Sequence, residues 1–239
     1  MGILRQLGRQ HDSLFGPVGM RGKTSMRFLF LLALTAAAFA SSCTSAHATP
    51  EEAFWKWFQK NETSLFDFEK DRDHIFDLLG AEMHKLNPNL TFEFGPKENG
   101  RREFVISADG IREAFPEVEA LYAASPPLPR WKFIKFRPRR KPNDISYGGV
   151  VVKAASVSVL VEPNGRTADI TVFIPGYTEA ARKTYVTVAF LFLDEALGEY
   201  DVETRVGQVN VDSISKAPAQ SYSLEVLPKA LDTFLLRKQ

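Results

Sequence analysis

Cysteine is almost missing: Cys43 is the only one in 239 residues, so no intramolecular disulfide can staple the chain. Histidine is nearly as scarce, with four in all, and neither an HExxH pair nor a cysteine-rich metal spacing occurs. His74 and His84 lie ten residues apart on one expected helix and cannot share a metal from it. Neither sign of charge dominates, since 30 basic residues stand against 29 acidic ones, which excludes a global attraction to nucleic acid or anionic membrane. There is no G-x-S-x-G elbow, and Gly148-Gly149 and Asn164-Gly165 are isolated turns without phosphate-loop spacing. No metal and no cofactor is expected. Long apolar runs are absent too, with one exception.

That exception is Phe28 to Ala40, uncharged and apolar, with Arg27 before it and small residues after it. A charged flank, a membrane-seeking core and a small-residue segment, in that order, make a bacterial export signal. The run falls short of the ~20 apolar residues that span a bilayer. Two processing sites compete. Ala46-His47-Ala48 fits the small-x-small rule, with cleavage before Thr49. Ala40-Ser41-Ser42-Cys43 resembles the lipobox of bacterial lipoproteins, which would make Cys43 a lipidation site and account for the lone thiol. Retention as an uncleaved anchor is a third outcome. Residues 1–25 are expected to be a non-native or merely basic extension, the true start being Met1, Met20 or Met26.

Residues 49–239 are expected to form one globular domain, divisible into lobes over 49–140 and 146–239. Removing residues 1–43 takes away five of the 30 basic and one of the 29 acidic groups and leaves a net charge of −3. Without crosslinks, stability must come from packing, and the 19 phenylalanines supply it at ~1.5–3 kcal/mol for each one buried.

Thr49-Pro50-Glu51-Glu52 predicts a capped helix start, with Phe54, Trp57 and Phe58 on its buried face and Trp55 off it. A longer helix is expected over Glu62 to Leu86. Leu90–Phe94 and Arg102–Ala108 then read as a hairpin, Ile111–Tyr122 as a helix and Trp131–Arg137 as a strand. The order returns with Ser156–Val161, Thr167–Ile174, a helix over Thr178–Tyr200, a strand over Val206–Ile214 and a closing helix over Leu224–Leu236. Two consecutive β-β-α-β units therefore follow two N-terminal helices. The fold class is α+β, with a mixed or antiparallel sheet and helices packed on it.

Arg130 to Lys141 holds seven cations interleaved with aromatics. Such a run can bind an anionic partner, or it can be a strand and loop neutralised by the acid-rich helix Glu62 to Glu82. Carboxylates assembled by the fold leave no local trace, and Glu162, Asp169, Asp194 and Glu195 are candidates for such a pair. Tyr185–Leu193 is apolar nearly all round and reads as the central core helix, ended by Gly198.

The segments FWKWFQKNE, LTFEFGPKENGRREFVISADGIREAFPEVEAL and LDEALGEYDVETRVGQV resemble an uncharacterised family of bacterial proteins, across Glu52 to Ile214. The resemblance implies no activity, cofactor or catalytic residue. The leading expectation is a non-enzymatic, exported or lipid-anchored envelope protein that binds a protein or small ligand, with contacts at Trp55, Arg137 and Arg139. A hydrolase using fold-assembled carboxylates and an immunity or inhibitor protein are the alternatives, so whether the chain is an enzyme stays open.

Overall fold

The capping box read at the first helix forms: the Thr49 hydroxyl accepts from the Glu52 N–H at 3.2 Å, and Glu52 accepts from the Thr49 N–H at 3.1 Å. The computed structural model describes Leu4–Arg5 and residues 48–236, with side chains described from residue 48 to residue 234. Cys43 and the apolar leader lie outside the described residues. Among the described residues no helix is long and apolar enough to cross a membrane.

Leu4–Arg5 is a two-residue strand, β1, laid antiparallel on β2. Three helices follow: α1 (Pro50–Lys60), α2 (Glu62–Phe66) and α3 (Arg72–His84). The first β-β-α-β unit comprises β2 (Thr91–Glu98), β3 (Arg101–Ser107), α4 (Phe115–Ala123) and β4 (Trp131–Lys135). Strands β2 and β3 pair antiparallel, and β4 then adds parallel to β3. A small ribbon, β5 (Ile145–Tyr147) with β6 (Val150–Val152), separates the units. The second unit comprises β7 (Ser158–Asn164), β8 (Thr167–Ile174), α5 (Arg182–Leu197), α6 (Glu199–Arg205) and β9 (Val206–Ser213). Its hairpin is again antiparallel and its last strand again parallel to the middle one. Short β10 (Tyr222–Ser223) borders β7, and α7 (Leu227–Leu236) closes the chain.

The α+β class and the twofold element order are as the sequence indicates. The two units keep separate mixed sheets, in orders β1-β2-β3-β4 and β10-β7-β8-β9, rather than merging into one. Other boundaries move as well: the strand expected to end at Phe94 runs on to Glu98, and the helix expected over Thr178–Tyr200 divides at Gly198 into α5 and α6. The helix expected over Glu62 to Leu86 breaks into α2, a 3-10 turn at Phe68–Lys70 and α3. Leu65, Phe66 and Phe68 are all buried across the break. The strand expected to Arg137 stops at Lys135, because Phe136 takes a left-handed backbone with φ of 60°.

Each unit has its own core. Helices α3 and α4 lie on the first sheet, and Phe58 of α1 meets Phe104 of β3 at a ring separation of 5.2 Å. Helices α5 and α7 lie on the second sheet. The other face of the first sheet, with Glu93 and Glu103, looks across a cleft toward Leu191 and Asp194 of α5. The layers therefore run helices, sheet, cleft, helices, sheet.

Candidate functional site

A chain segment with no secondary structure, Phe136 to Asp144, carries the polypeptide from the first unit to the second and forms the end of the cleft. It is pinned against the last turn of α5. The Arg140 N–H donates to the Glu195 carbonyl at 2.6 Å, and Arg139 Nε donates to the Leu197 carbonyl at 3.1 Å. These bonds cap carbonyls that a helix C-terminus leaves open. Gly198 makes the crossing fit. It has φ of 78°, and a Cβ there would stand 2.9 Å from the Arg137 carbonyl oxygen.

Glu199, fully buried at 0 % exposure, ties the units together from the first residue of α6. Its carboxylate accepts from the backbone N–H groups of Ala108 at 2.9 Å, Gly110 at 3.2 Å and Arg137 at 3.0 Å. Arg137, 6 % exposed, inserts beside it. The guanidinium pairs with Asp109, lies 3.5 Å from Asp194, 3.7 Å from Glu199 and 3.8 Å from Glu93. Burial alone would lower the Arg137 pKa, but the charges of Asp194, Glu199, Asp109 and Glu93 outweigh it and raise the value. Its Nε–H is buried and makes no hydrogen bond. Glu203, half-buried in α6, is pushed upward by desolvation and by the like charges of Asp194 and Glu199.

The cleft above this knot measures about 930 Å³, a size that suits a ligand. On its sheet wall Glu103 receives Lys132 and Arg140, each at 2.8 Å. Burial would push the Glu103 carboxyl up, yet these two cations hold it below the ordinary range. The opposite wall mixes Ile145, Tyr147 and Leu191 with the acids Asp144, Asp194 and Glu195. A second hollow of about 490 Å³ lies behind Arg137, beside Phe136 and Tyr200.

The predicted contact residues occupy different settings. Trp55 was expected off the buried stripe, and this is corrected: it is 3 % exposed, its indole N–H donates to the Leu121 carbonyl at 2.8 Å, and its ring meets Phe133 at 4.6 Å. Helix α1 buries Phe54, Trp55 and Phe58 and leaves Trp57 half-exposed, because its contact face is set by α4 and the sheet together. Arg137 is the buried centre of the knot. Arg139 binds Asp201 and Asp232, which also hold Arg205 at 3.3 and 2.8 Å. The hydrogen bond to Asp232 is the largest reason that the Arg139 pKa is raised. Cys43 lies outside the described residues.

The basic run is neutralised from elsewhere than expected. The acids of Glu62 to Glu82 face other partners: Asp67 pairs with Lys70 and Lys97, and Glu69 with Arg102. Lys132 and Arg140 use Glu103, Lys135 uses Glu119, and Lys141 uses Glu225. Arg130 stacks over Phe66 at 3.7 Å.

Of the candidate carboxylate pair, Asp194 and Glu195 line the cleft, whereas Glu162 and Asp169 are cross-strand neighbours on the second sheet. The Gln208 N–H and Asn164 hold Asp169 low, in its ionised form. His74 and His84 are exposed on α3. Among the described residues no group of three or more His, Cys, Asp or Glu side chains could hold a metal. Sequence reasoning missed Glu93, Asp109 and Glu199 altogether. Only the Gly198-Glu199 step, a glycine stop followed by an acid, left a local signal.

No family model, no curated protein and no solved structure matches the chain.

Proposed function

We propose that the chain is an exported or lipid-anchored protein of the bacterial envelope, and that it acts by binding a ligand or protein segment in the cleft between its two units. The observation carrying the binding reading is the combination of a roomy cleft with ionic groups that are already committed. Glu103 is held ionised by Lys132 and Arg140, and Arg137 is held charged by its carboxylates. Proton transfer near neutrality needs a group poised near the working pH. Glu203, whose pKa is raised, belongs to the knot and does not line the cleft. Paired, pre-oriented ions suit recognition, where they fix register and reject mismatched charge.

The envelope assignment is supported by the charged-apolar-small order of residues 26–48. Mass spectrometry of the mature amino terminus tests it. A diacylglyceryl group on Cys43 or a free Thr49 agrees with export, and an intact Met26 in the cytosol refutes it.

The cleft is tested by blocking it. Ser146 is exposed on β5 and lines the cleft, so Ser146→Trp should fill it without disturbing either core. Thermal-shift screening of small-molecule and peptide panels should give stabilising compounds for the parent protein, with the shifts lost in Ser146→Trp. Equal shifts in both proteins would remove the cleft from consideration.

A further inference from the structure

We propose that the outer edge of β9 is a dimer interface, on which the β9 strand of a second copy of this chain pairs antiparallel and joins the two second sheets into one. The cleft plays no part in this contact, so the proposal stands apart from the reading of the cleft as a binding site.

An open sheet has two edges, and each offers unpaired N–H and C=O groups to any strand that meets it. Among the described residues, three of the four edges of the two larger sheets are blunted. Strands β1 and β10 are edges of two residues each. Strand β4 is five residues long, carries Lys132 and Lys135, and stops where Phe136 turns left-handed. Short length and edge lysines are ordinary means of turning away a stray strand. Strand β9 has neither. It runs for eight residues, Val206–Ser213, without lysine, arginine or proline, and Asp212 is its sole charge. Its register shift against β8 falls between Ala168 and Ile170, ahead of Val209, so Val209 to Ser213 is regular. Strand β8 pairs with one side of it, and among the described residues no main-chain hydrogen bond joins residues 206–213 to any other segment. The outward N–H and C=O groups of β9 are therefore open.

Such backbone groups select a strand, and the side chains select which one. A two-fold axis through Asn210 pairs β9 with its own reverse. Val209 then meets Val211 of the second copy, on the face where both valines pack against the core of their own unit. On the other face Asn210 meets Asn210 of the second copy, and each amide can both donate and accept. Asp212 meets Gln208 of the second copy, an amide donor. No like charges face each other, and Asp212 is already held by Lys216 at 2.9 Å. The strand is thus complementary to itself, which favours a second copy over an unrelated strand.

Sedimentation velocity on the full chain, with hydrogen exchange followed by mass spectrometry, tests this. The parent should sediment near twice the monomer mass, and exchange in β9 should slow as the protein is concentrated. Asn210→Lys and Asn210→Asp, at a half-exposed position, each set like charges opposite one another at the axis. Each variant alone should sediment as a monomer. Mixed together they should restore the dimer, because opposite charges then face each other. A monomeric parent, β9 exchange that ignores concentration, an assembly that neither variant dissociates, or variants that stay apart on mixing overturns the proposal.

Discussion

The two β-β-α-β units share strand order and pairing sense but almost nothing in side-chain character. The first is packed with rings: Phe54, Trp55, Phe58, Phe92, Phe104 and Trp131 all belong to its core. Phe104 alone has five of these or their neighbours within 6.3 Å of its ring centroid, counting Trp55, Phe58, Phe92, Phe94 and Phe133. The second is aliphatic, with Val159, Val161, Ile170, Val172, Val188 and Leu193 at the matching centre. The same architecture therefore rises from two different packings. What the units hold in common is the alternation of apolar and polar positions along each strand and the turn residues between them, and these decide topology before side-chain identity does. Identity decides tolerance instead. Edge-to-face rings add about 0.5–1.5 kcal/mol per pair beyond area burial, and they depend on angle as well as volume.

The comparison breaks most sharply at the bridge between the units. Glu199→Ala deprives three backbone N–H groups and the buried Arg137 of their acceptor. Removing one partner of a buried pair costs about 3–5 kcal/mol. Urea unfolding of this variant should separate into two transitions, one for each core; a single transition at the parent midpoint would show that the units do not depend on the bridge. Phe104→Ala should lose about 3–5 kcal/mol, against under about 1.5 for the volume-conserving Ile170→Leu in the second core. Similar losses for the two would erase the distinction between ring packing and aliphatic packing.

A smaller effect is expected at Gly198→Ala. The left-handed backbone and the crowding by Arg137 and Arg139 should cost about 1–3 kcal/mol, and a melting temperature equal to the parent's would contradict that crowding.

The smallest effects are those of pH, and they differ in sign. Asp232, bonded to Arg139 and Arg205, has its pKa lowered from 3.8 to about 2. Its stabilisation is complete above pH 3.8 and is lost as pH falls toward 2, so Asp232→Asn should flatten the acid limb of a stability–pH curve. Glu203 is shifted upward, so its charge opposes folding once the pH rises past its ordinary 4.5. Glu203→Gln should therefore raise the melting temperature at pH 7 and leave it unchanged near pH 3. A fall at pH 7 would mean that the charge is needed.

Much of the fold was legible because its signals are local. The capping box at Thr49, the turn at Asn164-Gly165 and the glycine stop at Gly198 each declare themselves within a few residues. The site was much less legible. Arg137 could be singled out from the basic run, but Glu93, Asp109, Asp194 and Glu199 come from four separate segments and meet only in the folded chain. Trp55 misled because the face a helix buries is decided by its neighbours. A stripe read from spacing alone favoured Trp57, whereas α4 offered a carbonyl to the Trp55 indole. The neutralisation of the basic run was anticipated, but its partners were not, since complementary charge carries no address in sequence.

The position of Arg137 sets a rule for cutting this polypeptide. A break after Pro142 would keep Arg137 with Asp109 and Glu93 in one fragment but take away the acceptor of three of its backbone N–H groups, and would leave Asp194 and Glu199 without their cation in the other. Neither fragment should attain its native shape by itself despite owning a full hydrophobic centre, and mixing the two should restore both. The tandem is thus a mutual scaffold, in which each half completes its neighbour's charge.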